Sequence, residues 1–177
     1  MRPLDANLCT LEPQVAAHAA EMFSVLSDPA IYEFENGPPP SEAWLKERFA
    51  RLESRQSKNG SELWLNWVIR LSSGELAGYV QATVIGSNTS YVAYELASRF
   101  WHRGIGSCAV RAVLEELSSQ YDVRTFVAVL KARNFRSLAL LAHLGFMSGS
   151  SSQATLYGAE LDECVMVKVV GAAQNAA

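Results

Sequence analysis

Phe100-Trp101-His102-Arg103-Gly104-Ile105-Gly106-Ser107 decides how this 177-residue chain is read. These eight residues stand between a run rich in β-branched and aromatic residues, Ser90 to Leu96, and a run of helical period from Gly104 to Ser119. The inward face of that helix is Ile105, Cys108, Ala109, Ala112 and Val113. Glycines at 104 and 106 allow a tight turn and let the backbone approach a ligand where a Cβ would interfere. The helix directs its first-turn N–H groups at the turn, which makes an anion site suited above all to phosphate. His102 and Arg103 add side-chain donors. The turn is not a Walker loop, because no Gly-Lys-Ser/Thr follows. It is not a dinucleotide fingerprint either, because Ala109 holds the last glycine position.

Downstream, the pattern predicts a strand over Val123 to Leu130, a helix over Asn134 to Leu144, a strand from Phe146 and a last strand over Cys164 to Val170. Upstream, Leu4 to Leu11 reads as one strand. Pro13 reads as first-turn residue of a helix with Val15, Ala19, Met22, Phe23 and Leu26 on its apolar face. Ser27-Asp28-Pro29 stops that helix, and Asn36 to Pro40 is irregular. Ser41 caps a second helix carrying Trp44, Leu45, Phe49 and Leu52. Trp64 to Leu71 and Leu76 to Ile85 form a hairpin across Ser72-Ser73-Gly74-Glu75, and Gly86 to Thr89 turns into the strand ending at Leu96. The expected fold is α/β of the α+β type: a mixed, mainly antiparallel central sheet of six to seven strands with about four helices on its two faces. Residues 1–170 are expected to form a single domain and 171–177 a frayed tail.

Composition narrows the function classes. Apolar residues are 49% and charged residues 19%, with mean hydropathy +0.04, which supports a packed core and argues against disorder. The net charge of -3, from 15 basic and 18 acidic residues without a basic stripe, argues against nucleic acid. Cys9, Cys108 and Cys164 form no Cys-x-x-Cys pair and the three histidines complete no metal spacing, so no metal is expected. Free thiols of this kind fit a reducing cytoplasm. Met1-Arg2-Pro3-Leu4-Asp5 meets charge and proline before any apolar run, and no stretch of about 18 apolar residues exists to span a bilayer.

A second motif lies about thirty residues beyond the glycine turn: Asn134, Ser137, then Leu144-Gly145-Phe146. With Trp101-His102-Arg103-Gly104-Ile105-Gly106 it resembles the GNAT N-acetyltransferase superfamily, whose phosphate-binding consensus is Gln/Arg-x-x-Gly-x-Gly/Ala. Trp101 in place of Gln or Arg is similar to the RimJ/RimL-like branch, as are Leu26-Ser27-Asp28-Pro29 and Glu75 to Gly78. The resemblance covers about Leu4 to Val169. It implies acetyl-CoA as co-substrate, with the pantetheine arm along the backbone of Tyr94, Glu95 and Leu96. It further implies pyrophosphate on the N–H groups of His102, Arg103, Gly104, Ile105, Gly106 and Ser107, and a hydrogen bond from Asn134 to the cofactor.

The implied reaction is transfer of an acetyl group to a primary amine, either a protein N-terminal amine or a small-molecule amine. Such an amine is mostly ammonium at neutral pH, so it must lose a proton before attack. The thioester oxyanion needs fixed donors, which the resemblance places at about Leu96. Glu95, at a strand end on one face with Tyr91 and Ala93, is the first candidate base; Asp162 and Glu163 are the second. The tyrosine acid usual in the family is replaced by Leu141, which leaves Ser137 as the hydroxyl near the sulfur. Tyr32, Glu33, Glu35 and Tyr91 are candidates for acceptor recognition, and Lys131, Arg133 and Arg136 for the 3′-phosphate. A homodimer is compatible with the resemblance. The contrasting class is a non-catalytic CoA-binding module.

Overall fold

Left-handed backbone at Gly74 (φ 87°) and Gly86 (φ 58°) closes the two tight turns marked in the sequence, and the strands they join become the middle of a sheet. The computed structural model describes residues 1–34, 37–86 and 88–171. In chain order the elements are β1 (Leu4–Asp5), β2 (Cys9–Pro13), α1 (Ala19–Leu26), α2 (Glu42–Leu52), β3 (Glu62–Leu71), β4 (Leu76–Ile85) and β5 (Thr89–Leu96). They continue with α3 (Ile105–Gln120), β6 (Thr125–Lys131), α4 (Phe135–His143), β7 (Met147–Ser148), α5 (Ser151–Leu156) and β8 (Glu163–Val169). The sheet order is β1-β2-β3-β4-β5-β6-β8-β7. Every neighbouring pair is antiparallel except β5 and β6, whose parallel pairing follows from the crossover through α3.

The register across the centre sorts side chains into two faces. Trp67, Val80 and Tyr94 lie opposite one another on one face, and Val68, Tyr79 and Glu95 on the other. Consecutive Trp67, Val68 and Ile69 are all fully buried, so helices cover both faces of the central strands. The helix α3 packs against β1, β2, β4 and β5, while α1 packs against β4 and α2. Ser41 caps α2 by accepting from the Trp44 N–H at 3.1 Å, as its position predicts.

The structure corrects several boundaries. Leu4 to Leu11 is two strands, β1 and β2, folded on each other with Asn7 in the left-handed region (φ 63°). Pro13 ends β2 opposite Trp67 instead of starting a helix; the Gln14 N–H extends the ladder to the Asn66 carbonyl, and α1 begins only after a 3-10 turn over Ala16–His18. The mixed, mainly antiparallel sheet has eight described strands, two of them only two residues long, with five α-helices, roughly in line with the expected six to seven strands and about four helices. The extra helix is α5, a single short segment begun by a reciprocal cap between Ser150 and Gln153. Phe146 is buried ahead of β7, which keeps only two residues. The expectation of a frayed tail concerns residues that, from 172 onward, lie outside the described ones.

Candidate active site

Parallel pairing between β5 and β6 stops after three residue pairs, Thr89↔Thr125, Ser90↔Phe126 and Tyr91↔Val127. Beyond Tyr91 the strand β5 stays with β4 as far as Leu96↔Gly78 and leaves β6. The Ala97 N–H donates to the Ala77 carbonyl at 2.9 Å, which sets the phase of the ladder. Hydrogen-bonded pairs alternate in an antiparallel ladder, so Glu95 and Tyr79 exchange bonds, while the backbone groups of Tyr94 and Leu96 turn away from β4 into the opening. The Leu96 carbonyl there accepts from the Trp101 indole N–H at 2.9 Å.

Gly78 lets β5 come this close to β4. A Cβ on it would lie 2.0 Å from the Glu95 carbonyl oxygen and 2.9 Å from the Leu96 Cα. The missing side chain therefore fixes where the end of β5 sits.

The opening is a cleft of about 390 Å³ walled on the sheet side by Tyr94, Glu95 and Leu96. Its far wall is the start of α3, Gly104 to Ser107, together with His102. Gly104 is the N-cap in left-handed backbone (φ 77°), and no side chain caps the helix. The first-turn N–H groups of this 16-residue helix thus remain for an anion in the cleft. His102 is also left-handed (φ 58°). A Cβ on Gly106 would stand 3.1 Å from the Leu140 side chain, so this glycine lets α3 pack closely on α4. The donor set and the shape fit a pyrophosphate attached to a slender arm running along β5.

The third wall is the first turn of α4. Asn134 caps that helix, its side-chain oxygen accepting from the Ser137 N–H at 3.1 Å. Asn134 and Ser137 both line the cleft. The Tyr94 hydroxyl donates to the Ser137 carbonyl at 3.4 Å; burial pushes this phenol up to about 12, with the Ser137 side chain acting in the opposite direction. Leu141 is 1% exposed and faces the core.

Over the cleft, Ile31 and Phe34 come from the segment after α1. Asp28 anchors that segment by accepting from Ala30 N–H at 3.0 Å and Ser98 N–H at 2.6 Å. Burial alone would raise the Asp28 carboxyl, but the bonds from Ser98 and Ala30 outweigh it and hold the group below its usual range. Arg136 of α4 pairs with Glu33 at 2.7 Å and lies over the rings of Trp101 and Phe34.

Not every residue singled out in the sequence reaches this cleft. Tyr91 packs edge-on against Tyr157, with ring centres 6.0 Å apart, and does not line it. Arg103 is exposed with its guanidinium over Phe100. Tyr32 donates its hydroxyl proton to the Leu26 carbonyl at 2.8 Å, and burial pushes that phenol well up. Glu33 is occupied by Arg136, and Glu35 lies outside the described residues. Lys131 is held by Glu160, Asp162 and Glu163 at 3.0 to 3.2 Å, which ties up the second pair of candidate bases away from the cleft wall. Conversely, two contributors carry no motif of their own, Tyr79, which stands opposite Glu95, and Phe34, while Trp101 gains a role its motif does not state, as donor to the strand end. Tyr79 is legible in principle, because the register of the β4–β5 pair sets it opposite Glu95.

Among the described residues no cluster of three or more His, Cys, Asp or Glu is placed to hold a metal, and no helix is long and apolar enough to cross a membrane. A family model described as "Acetyltransferase (GNAT) domain" matches residues 9–147. No curated protein gives a match. Among solved structures, the chain is similar to a ribosomal-protein-S5-alanine acetyltransferase from Vibrio fischeri (TM-score 0.78, 17% identity, covering 94% of this chain and 96% of that one). It is also similar to RimL, a ribosomal L7/L12 α-N-protein acetyltransferase in complex with coenzyme A (0.79, 17%, 95% and 98%). A third is the microcin C7 self-immunity acetyltransferase MccE with acetyl-CoA and AMP (0.69, 19%, 93% and 93%). At these identities the likeness is one of fold.

Proposed function

The chain belongs to the GNAT acetyltransferase family and is an acyltransferase that uses acetyl-CoA; from that premise we propose that it acetylates a primary amine, with a protein N-terminal α-amine as the favoured acceptor. The observation that carries the reading is the parting of β5 from β6 at Tyr91, which brings the Leu96 N–H, the Glu95 strand end and Ser137 to one cleft. An α-amine has an ordinary pKa of about 7.7–8.0, against about 10.4 for lysine, so less work is needed to deprotonate it at neutral pH. Two of the similar folds carry names of enzymes that acetylate ribosomal proteins, which supports the same acceptor class. Small amines are the second class to test. The domain reading, residues 1–170 as one catalytic unit, and a cytoplasmic location belong to the same proposal; three free cysteines support a reducing compartment.

Acetyl-CoA supplies an acetyl group on a thioester. The first turn of α3 and Asn134 hold its phosphates and arm. Glu95 accepts the proton of the incoming ammonium, directly or through water. The Leu96 N–H, turned into the cleft by the ladder's phase, steadies the oxyanion, and the Trp101 bond keeps that peptide from rotating. Ser137 donates a hydrogen bond toward the departing thiolate.

An acceptor screen with detection of free CoA, run with N-terminal peptides and small amines side by side, tests the proposal. Thiol release with peptides and not with small amines is the expected outcome. Binding of CoA with no release for any amine would mark a non-catalytic CoA-binding module. Within the active enzyme, Glu95→Gln is expected to lower kcat/KM by about 10²–10⁴-fold. Ser137→Ala is expected to lower kcat while CoA affinity stays within a few-fold.

A further inference from the structure

Tyr79 stands directly opposite Glu95 in the β4–β5 ladder, both side chains on the same face of the sheet. Such a hydrogen-bonded pair keeps its Cα atoms about 5.5 Å apart, a separation fixed by the backbone and not by the side chains. The Tyr79 ring packs against the core, and the register sets its hydroxyl on the same face as the Glu95 carboxylate; burial first, then the charge and hydrogen bonding of that carboxylate, push the phenol up. A phenol has one proton to give, and the carboxylate facing it across the ladder is an acceptor for it. Tyr32 is the other phenol near Glu95, but its proton goes to the Leu26 carbonyl. Among the described residues, Arg48 of α2 acts on Tyr79 and Asp28 acts on Tyr32. Glu95 itself lines the cleft.

We propose that Tyr79 is a positioning residue for Glu95, its hydroxyl holding the carboxylate in one orientation at the cleft and favouring its ionised form. A glutamate at a strand end has three rotatable bonds, and a charge-assisted bond from a ring locked in the core removes most of that freedom. Desolvation beside the core opposes ionisation of the carboxylate; a donor that bonds the anion more strongly than the acid offsets this. The consequence is a base already charged and aimed before the amine arrives. Burial first, then the charge and hydrogen bond of Glu95, push the Tyr79 phenol well above its ordinary range, so it stays a donor throughout neutral pH. This role rests on Glu95 being the base.

Tyr79→Phe removes one oxygen and leaves the ring in place. In protein labelled with carbon-13 at the glutamate carboxyl carbons, the Glu95 resonance, assigned by its loss in Glu95→Gln, is titrated by NMR alongside the pH profile of kcat/KM. The Glu95 midpoint is expected to rise by about one pH unit or more in Tyr79→Phe. The acidic limb of the rate profile should follow it, with KM for acetyl-CoA unchanged. An unmoved Glu95 midpoint overturns the proposal. A midpoint that moves while the rate profile stays in place upholds the Tyr79–Glu95 coupling and overturns the assignment of Glu95 as base. Should Tyr79→Phe fail to fold, the Tyr79 ring carbon bearing the hydroxyl is followed in Glu95→Gln, where an unshifted resonance is equally fatal to the proposal.

Discussion

The Arg136 guanidinium lies 4.1 Å from the centre of the Trp101 ring. That stack joins two parts of the site, because Arg136 also pairs with Glu33 while the Trp101 indole N–H holds the Leu96 carbonyl. The segment over the cleft, the first turn of α4 and the end of β5 are thus linked through one tryptophan. Indole is the best of the aromatic faces for a cation, and such a pairing is worth about 0.5–1 kcal/mol when exposed and more when shielded.

Trp101→Phe keeps an aromatic face for Arg136 and deletes the donor to Leu96. We expect kcat to fall about 3- to 10-fold, in line with loss of one hydrogen bond of about 0.5–1.5 kcal/mol at the peptide proposed to bind the oxyanion. Acetyl-CoA affinity should change less. Steady-state kinetics with calorimetry of CoA binding separates the two, and an unchanged kcat would show that the Leu96 peptide holds its place without the indole.

Glu33→Gln opens the ion pair without removing the stack. Both partners are substantially exposed, with side-chain exposures of 37% for Arg136 and 53% for Glu33, so global stability should change by less than about 1 kcal/mol. Amide exchange over residues 29–34 should accelerate all the same, and mass-resolved hydrogen exchange reads it.

Gly106→Glu places a side chain and a negative charge at the first turn of α3, where a Cβ already meets Leu140 at 3.1 Å. Two lost charge-assisted bonds at about 1.5–3 kcal/mol each should weaken CoA binding more than a hundredfold. Calorimetry on a variant that circular dichroism shows to be folded is the check. Equal affinity would mean the phosphates sit elsewhere.

Gly78→Ala tests the close approach of β4 and β5. With 2.0 Å between the new Cβ and the Glu95 carbonyl oxygen, backbone must move, and overpacking of this kind costs about 1–3 kcal/mol. Urea denaturation should show that loss. In the fraction that remains folded, kcat should fall further than CoA affinity, because the displaced atoms are those of Glu95 and Leu96.

Asp28 gives the structure a pH dependence of stated sign. Its folded pKa lies below the ordinary carboxylate value, so its stabilisation is fully present above the unfolded value of about 3.9 and disappears as pH falls through the lower folded value. Asp28→Ala should therefore cost about 1–3 kcal/mol at neutral pH, through loss of the cap on Ala30 and the bond to Ser98. The gap between variant and parent should narrow as pH falls below the unfolded value of about 3.9. Melting curves across pH 2–7 would show it, and a gap that stays constant to pH 2 would contradict the assignment.

Elements made by neighbours in sequence are legible in the residues themselves. Gly104 and Gly106 mark the start of α3, Ser41 the start of α2, and the β-branched and aromatic run from Leu76 to Ile85 coincides with β4. These depend on backbone conformations and periods that a few adjacent residues dictate. Pro13 misleads because its fixed φ suits a strand end as well as a first helical turn, and pairing with Trp67, far along the chain, decides between them. The short α5 escapes notice because six residues carry too little periodicity to stand out.

The candidate site divides along the same line. The glycine turn and the Asn134–Ser137 cap that wall the cleft are legible in the sequence. Its working geometry is not. That β5 abandons β6 after Tyr91, that Arg136 reaches Glu33 across 103 positions, and that Asp162 is drawn away by Lys131 are outcomes of how the sheet and helices pack. A side chain's type sets which bonds it is able to make, but the partner it finds among residues remote in sequence is chosen by the tertiary fold, which brings together groups that local propensity leaves independent.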